Sequence, residues 1–189
     1  MPKNNCNVLE ASVEWCDGKT VLPGIRRRCY YLHKKNISKW PVLPGAADGT
    51  PTSAVYQGSF ELVEGAHFHH VDLLLNGSGI KSDPQGEVPS QTQQNTLTAV
   101  HPGTEEEASM LSAYCNNSDL VWIVQTANGK YRVIGSEMSE TKTTVAQDGG
   151  QSLTGTAQTT VTAVATDLLA APFYEGEIDD EDGVVNPQE

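Results

Sequence analysis

The sequence has few basic residues, few cysteines and no long hydrophobic run, and each absence narrows the classes of function. Its 189 residues include 12 Lys and Arg against 24 Asp and Glu. The resulting net charge of −12 argues against a chain that binds nucleic acid through its phosphates. No apolar run approaches the roughly 18 residues of a membrane-spanning helix, and the first twenty residues lack the apolar stretch of a signal peptide. We therefore expect that the protein has no membrane anchor and that it is made in a cytoplasm.

Sequence motifs for chemistry are also scarce. The four cysteines, at positions 6, 16, 29 and 115, include no Cys-x-x-Cys pair, so we expect no structural zinc site. In a cytoplasm the cysteines would be reduced, so we expect no disulfides. A nucleophile elbow, a phosphate-binding loop and a dinucleotide-binding glycine fingerprint are all missing. We expect no catalytic residue, no cofactor and no metal, so the sequence favours a structural or binding role over an enzyme.

The feature closest to an enzyme site is the run His67-Phe68-His69-His70. On a strand, His67 and His69 point the same way, and two imidazoles can bind zinc if further ligands are near. The candidates for such ligands are His33, Asp72, His101 and Cys115. None of them lies in a recognisable metal motif, so we favour histidines that face solvent or an interface. A small metalloenzyme built on these histidines is the alternative.

The hydrophobic pattern predicts about eight strands and one helix. The main strands are expected at 25–33, 54–63, 66–75, 91–101, 119–126, 131–134 and 156–166. Asn128-Gly129 marks a hairpin. A helix is predicted at about residues 104–116, with Thr104 as N-cap and Glu107 completing a capping box. Strands and helices do not alternate, so we predict a mainly β fold, an antiparallel β-sandwich or partly closed barrel with one flanking helix.

Three segments carry expectations of their own. Residues 76–90 are rich in Gly, Pro and Ser and are predicted to be an extended loop. Residues 91–101 have weak core character, so Gln91, Gln93 and Asn95 are expected to line a surface or lumen. Residues 175–189 hold seven acids and no base and are predicted to be a flexible tail. Residues 1–174 would then form a single domain.

Charge is segregated along the chain. Seven of the twelve bases lie between Lys19 and Lys39, whereas the C-terminal segment is acidic. Solvated charged edges would explain this pattern, but we hypothesise that the basic strand meets the acidic segment of a neighbouring subunit. The candidate subunit-contact residues are Arg26, Arg27, Arg28, Gln85, Gly86, Glu87, Glu175, Glu177, Asp179 and Asp180.

Four groups of short motifs follow one another in a recognisable order. The first runs from Cys16-Asp17-Gly18 to Trp40-Pro41, and the second from Gln85-Gly86-Glu87 to Pro102-Gly103-Thr104. The third joins the apolar run 119–124 to Tyr131-Arg132-Val133-Ile134-Gly135, and the last runs from Asp148-Gly149-Gly150 to Ala171-Pro172-Phe173-Tyr174. This order resembles tail-tube proteins encoded by phages and prophages of gut Bacteroidetes.

The resemblance implies a β-sandwich subunit that forms stacked rings, commonly hexameric, around a channel through which the genome passes. Its partners would be further copies of itself and other tail proteins, namely the tape measure, the tail terminator and the baseplate or tip. DNA would be a partner only in passage, and the location would be the virion tail. The family has no catalytic residues. The alternatives are another virion protein, such as a capsid decoration or head–tail connector protein, and a β-sandwich module that binds carbohydrate or another ligand.

Overall fold

The computed structural model describes residues 10–187, which form two main β-sheets packed face to face, two small two-stranded sheets and one helix. The helix, α1, spans Glu106–Cys115. In chain order the strands are β1 (Ile25–His33), β2 (Ile37–Lys39), β3 (Val55–Tyr56), β4 (Glu61–Leu62), β5 (His69–Asp72), β6 (Gly79–Gln85), β7 (Thr92–Pro102), β8 (Leu120–Thr126), β9 (Tyr131–Ile134), β10 (Thr141–Asp148), β11 (Gln158–Asp167), β12 (Phe173–Tyr174), β13 (Ile178–Asp180) and β14 (Gly183–Val185). The mainly β class with one helix is confirmed, and within these residues neither sheet closes into a barrel.

The larger sheet is buried on both faces. Its strand order is β3-β12-β9-β8-β1-β5. β8 lies near its centre, and its first five residues are completely buried. A strand covered on both sides needs apolar side chains at every position, which explains the continuous apolar run that predicted it. The Asn128-Gly129 turn joins β8 to its antiparallel partner β9, as predicted.

The smaller sheet is buried on one face only. Its strand order is β10-β11-β7-β6, and every pair in it is antiparallel. Leu97 and Ala99 of β7 pair with Ala163 and Val161 of β11, and all four are completely buried. The residues between them along each strand point to the other face. This period of two is typical of a sheet with one wet face.

Two apolar clusters lie on the two sides of the larger sheet. The first fills the space between the sheets, where Trp122 of β8 meets Leu97 and Val161 of the smaller sheet and Leu111 of α1. The second lies on the opposite face, where residues from the 37–62 segment and from the C-terminal segment cover Ile123. The central sheet therefore joins both clusters.

Helix α1 confirms the predicted helix but not its predicted cap. Ala108, Leu111 and Cys115 are the buried residues, the face that the spacing indicated. The N-cap is Glu105 rather than Thr104, and its side chain makes no capping hydrogen bond. The predicted capping box, with Thr104 as N-cap, was therefore wrong. The predicted strands 54–63 and 66–75 are also shorter in the structure, where they are reduced to β3, β4 and β5.

The predicted extended loop at residues 76–90 is wrong for residues 79–85. Gly79–Gln85 forms β6, which pairs with β7 from Gly79↔Thr98 to Gln85↔Thr92. Gly and Pro suggested a loop, but Pro84 is tolerated because β6 is an edge strand. Ser82 also helps to hold β6, since its hydroxyl donates to Asn95 Oδ1 at 2.6 Å. Only residues 86–91 connect the two strands.

The predicted flexible tail is wrong for residues 178–185. This segment forms the β13–β14 hairpin, whose Ile178 is completely buried in the second apolar cluster. Strand β13 also forms a parallel bridge between Asp180 and Phe68, and Phe68 N donates to Asp179 O at 2.7 Å. One buried isoleucine and the backbone pairing fix a segment whose acidic composition suggested disorder.

Candidate functional surfaces

The smaller sheet has two open edges. Within residues 10–187, β6 and β10 each have a strand partner on one side only. Four antiparallel strands place these two edge strands in opposite directions. A copy related by rotation in the plane of a ring could therefore set its β6 against this β10 with antiparallel pairing preserved.

The outer edge of β10 is partly occupied by side chains. Thr141 N donates to Asp119 Oδ1 and Val145 N donates to Asn116 Oδ1, both at 2.9 Å. Backbone groups alternate sides along a strand, so the N–H groups of Thr143 and Gln147 also point to this edge. Residues 116–119 and 140–145 line a groove of about 870 Å³ beside this edge. The two side chains thus take the place of a neighbouring strand's carbonyl groups.

The outer edge of β6 carries features that discourage uncontrolled pairing. Pro84 has no backbone N–H to donate. Lys81 and Asp83 project from the same face of the strand, with Lys81 Nζ 2.9 Å from Asp83 Oδ2. Charges and proline on an edge strand hinder casual strand addition. Any partner of this edge must match that pattern rather than simply extend a sheet.

The outward face of the smaller sheet is polar and electrically balanced. Its polar and charged members are Lys81, Asp83, Gln85, Thr92, Gln94, Thr96, Thr98, Lys142, Thr144, Asp148, Gln158, Thr160, Thr162 and Thr166, and Val100, Ala146 and Val164 share the face. The charged members are two bases and two acids. The acidity of the whole chain is therefore absent from this face, which presents mainly hydroxyl and amide groups.

The predicted surface residues of β7 lie on the opposite face from the one expected. Asn95 is completely buried, where its amide donates to Leu169 O and its Oδ1 accepts from Ala171 N. Gln93 is half-buried on the same side, and only Gln91, just before the strand, is exposed. A shift of one residue exchanges the two faces of a strand, so the outward amide is Gln94.

The predicted subunit-contact residues separate into several groups. Arg28 contacts the C-terminal hairpin of its own chain, with Nη1 3.4 Å from Asp182 Oδ2, and its Nε donates to Asp72 at 2.9 Å. At Arg28, the basic strand therefore contacts the acidic segment of its own chain, whereas the hypothesis placed this contact between neighbouring subunits. Arg26 and Arg27 are exposed, and Arg26 Nη1 lies 3.4 Å from Gln125 Oε1.

The remaining candidates lie at two turns. Gln85 ends β6, where its amide donates to Thr166 Oγ1 at 2.8 Å. Gly86 follows with φ of +81°, and a Cβ there would lie 2.9 Å from Ser90 O. Glu87 is exposed beside it. Glu175 and Glu177 are exposed at the start of the C-terminal segment, far along the chain from this turn.

Three histidines pair with the acidic hairpin. His67 Nδ1 lies 3.1 Å from Asp179 Oδ2, and His69 Nδ1 lies 3.1 Å from Glu181 Oε2. His70 Nδ1 lies 2.9 Å from Asp180 Oδ2 on the other side of the strand. The acidic partners lie more than a hundred residues away in sequence, so no local spacing indicated these contacts. Asp179 and Asp180, two of the predicted subunit-contact residues, thus contact His67 and His70 of their own chain.

Two buried thiols are chemically protected. Cys29 and Cys115 are completely buried in the cluster between the sheets. Burial raises the pKa of the Cys29 thiol far above its ordinary value and raises the pKa of Cys115 to about 12. The reactive thiolate is therefore disfavoured at both positions, and both side chains act as small apolar groups.

Comparison of the chain with family models, curated proteins and solved structures finds no match. Within residues 10–187, no helix has the length and apolar character needed to cross a membrane.

Proposed function

We propose that this chain is a structural subunit that assembles edge to edge through its smaller sheet, and that the assembly is the tail tube of a phage or prophage. The observation that carries the proposal is the pair of open, oppositely directed edges on one four-stranded antiparallel sheet. Because the number of strands is even, each added copy preserves antiparallel pairing around a ring. Six copies, the number implied by the sequence resemblance, would form a barrel of 24 strands.

The two faces of the smaller sheet suit opposite sides of such a wall. The apolar face is already covered by the larger sheet and α1. The outward face would then line the channel, with its hydroxyl and amide groups and balanced charges. A neutral polar lining forms no array of cations that could hold phosphates, so it suits passage of DNA rather than binding.

The edge features support assembly that is controlled rather than spontaneous. Asn116 and Asp119 occupy two donors of β10, and an incoming strand would have to displace them. Lys81, Asp83 and Pro84 restrict which strand can approach β6. These features would keep free subunits soluble until they meet a correctly oriented neighbour or an initiating tail protein.

Electron microscopy of the full chain at increasing concentration tests assembly directly. We expect rings or stacked rings of constant bore, with sedimentation showing a species several times the 20.3 kDa chain. A persistent monomer at millimolar concentration, also in the presence of its tail-protein partners, would overturn the proposal. Discrete oligomers that never stack would favour a decoration or connector protein, and saturable binding to a glycan array would favour a ligand-binding module.

A matched pair of variants at Gln147 tests the edge itself. Gln147→Pro removes an outward-pointing N–H from β10, whereas Gln147→Ala removes the same side chain and keeps that donor. Both lose the Gln147 side-chain contacts to Ser109 and Thr159. We expect the proline variant to raise the concentration needed for assembly at least tenfold relative to the alanine variant. Equal assembly of two equally folded variants would show that β10 is not the contact.

A further inference from the structure

The C-terminal hairpin is joined to β5 by a compact group of possible metal ligands. His70 lies in β5, Asp180 ends β13, and Asp182 lies in the turn of the hairpin. One ligand atom from each of the three can be chosen so that all lie within 4.8 Å of one another. We propose that these residues form a binding site for one divalent transition-metal ion, which fastens the hairpin to the larger sheet. This inference does not depend on tube assembly.

The imidazole of His70 lies between the two carboxylates. Its Nδ1 is 2.9 Å from Asp180 Oδ2 and its Nε2 is 3.7 Å from Asp182 Oδ2. Ligand atoms around a zinc ion with bonds of about 2.0–2.2 Å are separated by about 3.3–3.5 Å. An ion binds only one of the two ring nitrogens, so coordination at Nδ1 beside Asp180 requires the exposed Asp182 side chain to turn from Nε2 toward that ion.

An unsatisfied oxygen of Asp180 points to a missing partner. The Asp180 side chain is 1% exposed, and within the described residues its Oδ1 has no hydrogen-bond partner. Oδ1 is the second oxygen of the carboxylate whose Oδ2 contacts His70. A buried carboxylate oxygen without a partner costs free energy. A bound cation would remove that cost. His67 and His69 cannot supply the partner for Oδ1, because each of them contacts another carboxylate.

The ligand types indicate which metals are suited. One imidazole and two carboxylates supply both nitrogen and oxygen ligands. This mixed set suits Zn²⁺ or Mn²⁺ better than Ca²⁺, which prefers oxygen ligands alone. Three protein ligands would leave room for water on the ion. His70 also lines a groove of about 220 Å³ together with Asp72 and Glu107.

Arg28 is the group that opposes a cation here. Its Nη1 lies 3.4 Å from the same Asp182 oxygen that faces His70. Its Nε also donates to Asp72 at 2.9 Å, so the guanidinium keeps a carboxylate partner when Asp182 turns to the metal. The site therefore predicts competition, with Arg28 weakening metal affinity rather than preventing binding.

Calorimetric titration of Zn²⁺ and Mn²⁺ into the untagged, chelator-treated full chain tests the site. We expect one ion per chain and a rise in melting temperature on saturation. His70→Gln and Asp182→Asn should each weaken affinity at least tenfold and abolish that rise. Arg28→Gln should tighten binding.

Two matched controls separate this site from the neighbouring pairs. His67→Gln and Asp179→Asn remove a histidine and a carboxylate that contact each other at 3.1 Å outside the proposed group. Both should change affinity less than twofold. Absence of binding, or binding that survives His70→Gln and Asp182→Asn, would overturn the proposal and leave His70 as an ion-pair partner of Asp180. Because Asp182 is exposed, its variant remains informative even if a His70 variant folds poorly.

Discussion

The larger and smaller sheets share one core, but they differ in what covers their other face. β8 of the larger sheet has apolar clusters on both sides, and its side chains alternate between them. β11 of the smaller sheet alternates strictly between buried and half-buried residues. The larger sheet is therefore the centre of the fold. The smaller sheet has an exposed polar face and, within residues 10–187, two edges without a strand partner, which are the features used by the proposed assembly.

This difference also explains which changes each sheet can tolerate. A residue in the centre of the larger sheet has apolar neighbours whichever way it points, so loss of volume leaves a cavity. A residue on the outward face of the smaller sheet contacts neighbouring strands and solvent. Its replacement should have little effect on folding and a larger one on the proposed assembly. Matched substitutions in the two sheets can test that division.

The largest effect is expected from truncation of Ile123 in β8. Ile123 is completely buried in the second apolar cluster, and Ile123→Ala should reduce the free energy of unfolding by about 2–5 kcal/mol. Thr162→Ala, on the outward face of β11, should change that free energy by no more than about 0.5 kcal/mol. Urea unfolding followed by tryptophan fluorescence measures both. Similar losses in the two variants would refute the proposed division between the sheets.

A smaller but sharper contrast separates the two faces of β7. Asn95→Ala leaves the buried Ala171 N–H and Leu169 carbonyl without their amide partner, and should cost about 1–3 kcal/mol. Gln94→Ala removes an adjacent exposed amide and should cost no more than about 0.5 kcal/mol. Chemical denaturation of both variants provides the comparison. If Gln94→Ala were the more damaging, the register of β7 would be incorrect.

The features that sequence predicted well are those set by strong local or periodic signals. The apolar run of β8, the Asn128-Gly129 turn and the buried face of α1 each follow from neighbouring residues. The mainly β class followed from their sum. Such signals need no knowledge of what the segment packs against, because burial of a continuous apolar run or an amphipathic face is required in almost any fold.

The features that sequence missed depend on partners distant in the chain. β6 was hidden by its Gly and Pro content because only pairing with β7 makes it a strand. Gln93 and Asn95 were assigned to the wrong face, since an alternating polar stretch does not reveal that Leu169 and Ala171 satisfy a buried amide. The histidines and the acidic segment were noticed separately. Their contacts across more than a hundred residues were not predictable from spacing.

The smallest expected change in stability comes from a carboxylate at the end of β11. Asp167 is buried, its Oδ1 accepts from Leu168 N at 2.7 Å, and its Oδ2 has no hydrogen-bond partner among the described residues. Burial raises the pKa of Asp167, while backbone N–H groups partly oppose that rise. The smaller sheet therefore contains one ionisable group on its buried face that folding prefers to keep protonated.

The sign of the resulting pH dependence follows from linkage. With its pKa raised in the folded protein, Asp167 favours folding below the unfolded value of about 3.9, and this contribution is lost as pH rises through the folded pKa. Asp167→Asn removes the titration, so we expect the variant to be more stable than the wild type at pH 7 and to lose that advantage near pH 3. Asp148→Asn, an exposed change in the same sheet, should show no such pattern. Urea unfolding at the two pH values measures both, and an advantage that grows toward acid pH would contradict a buried, desolvated carboxylate on the inner face.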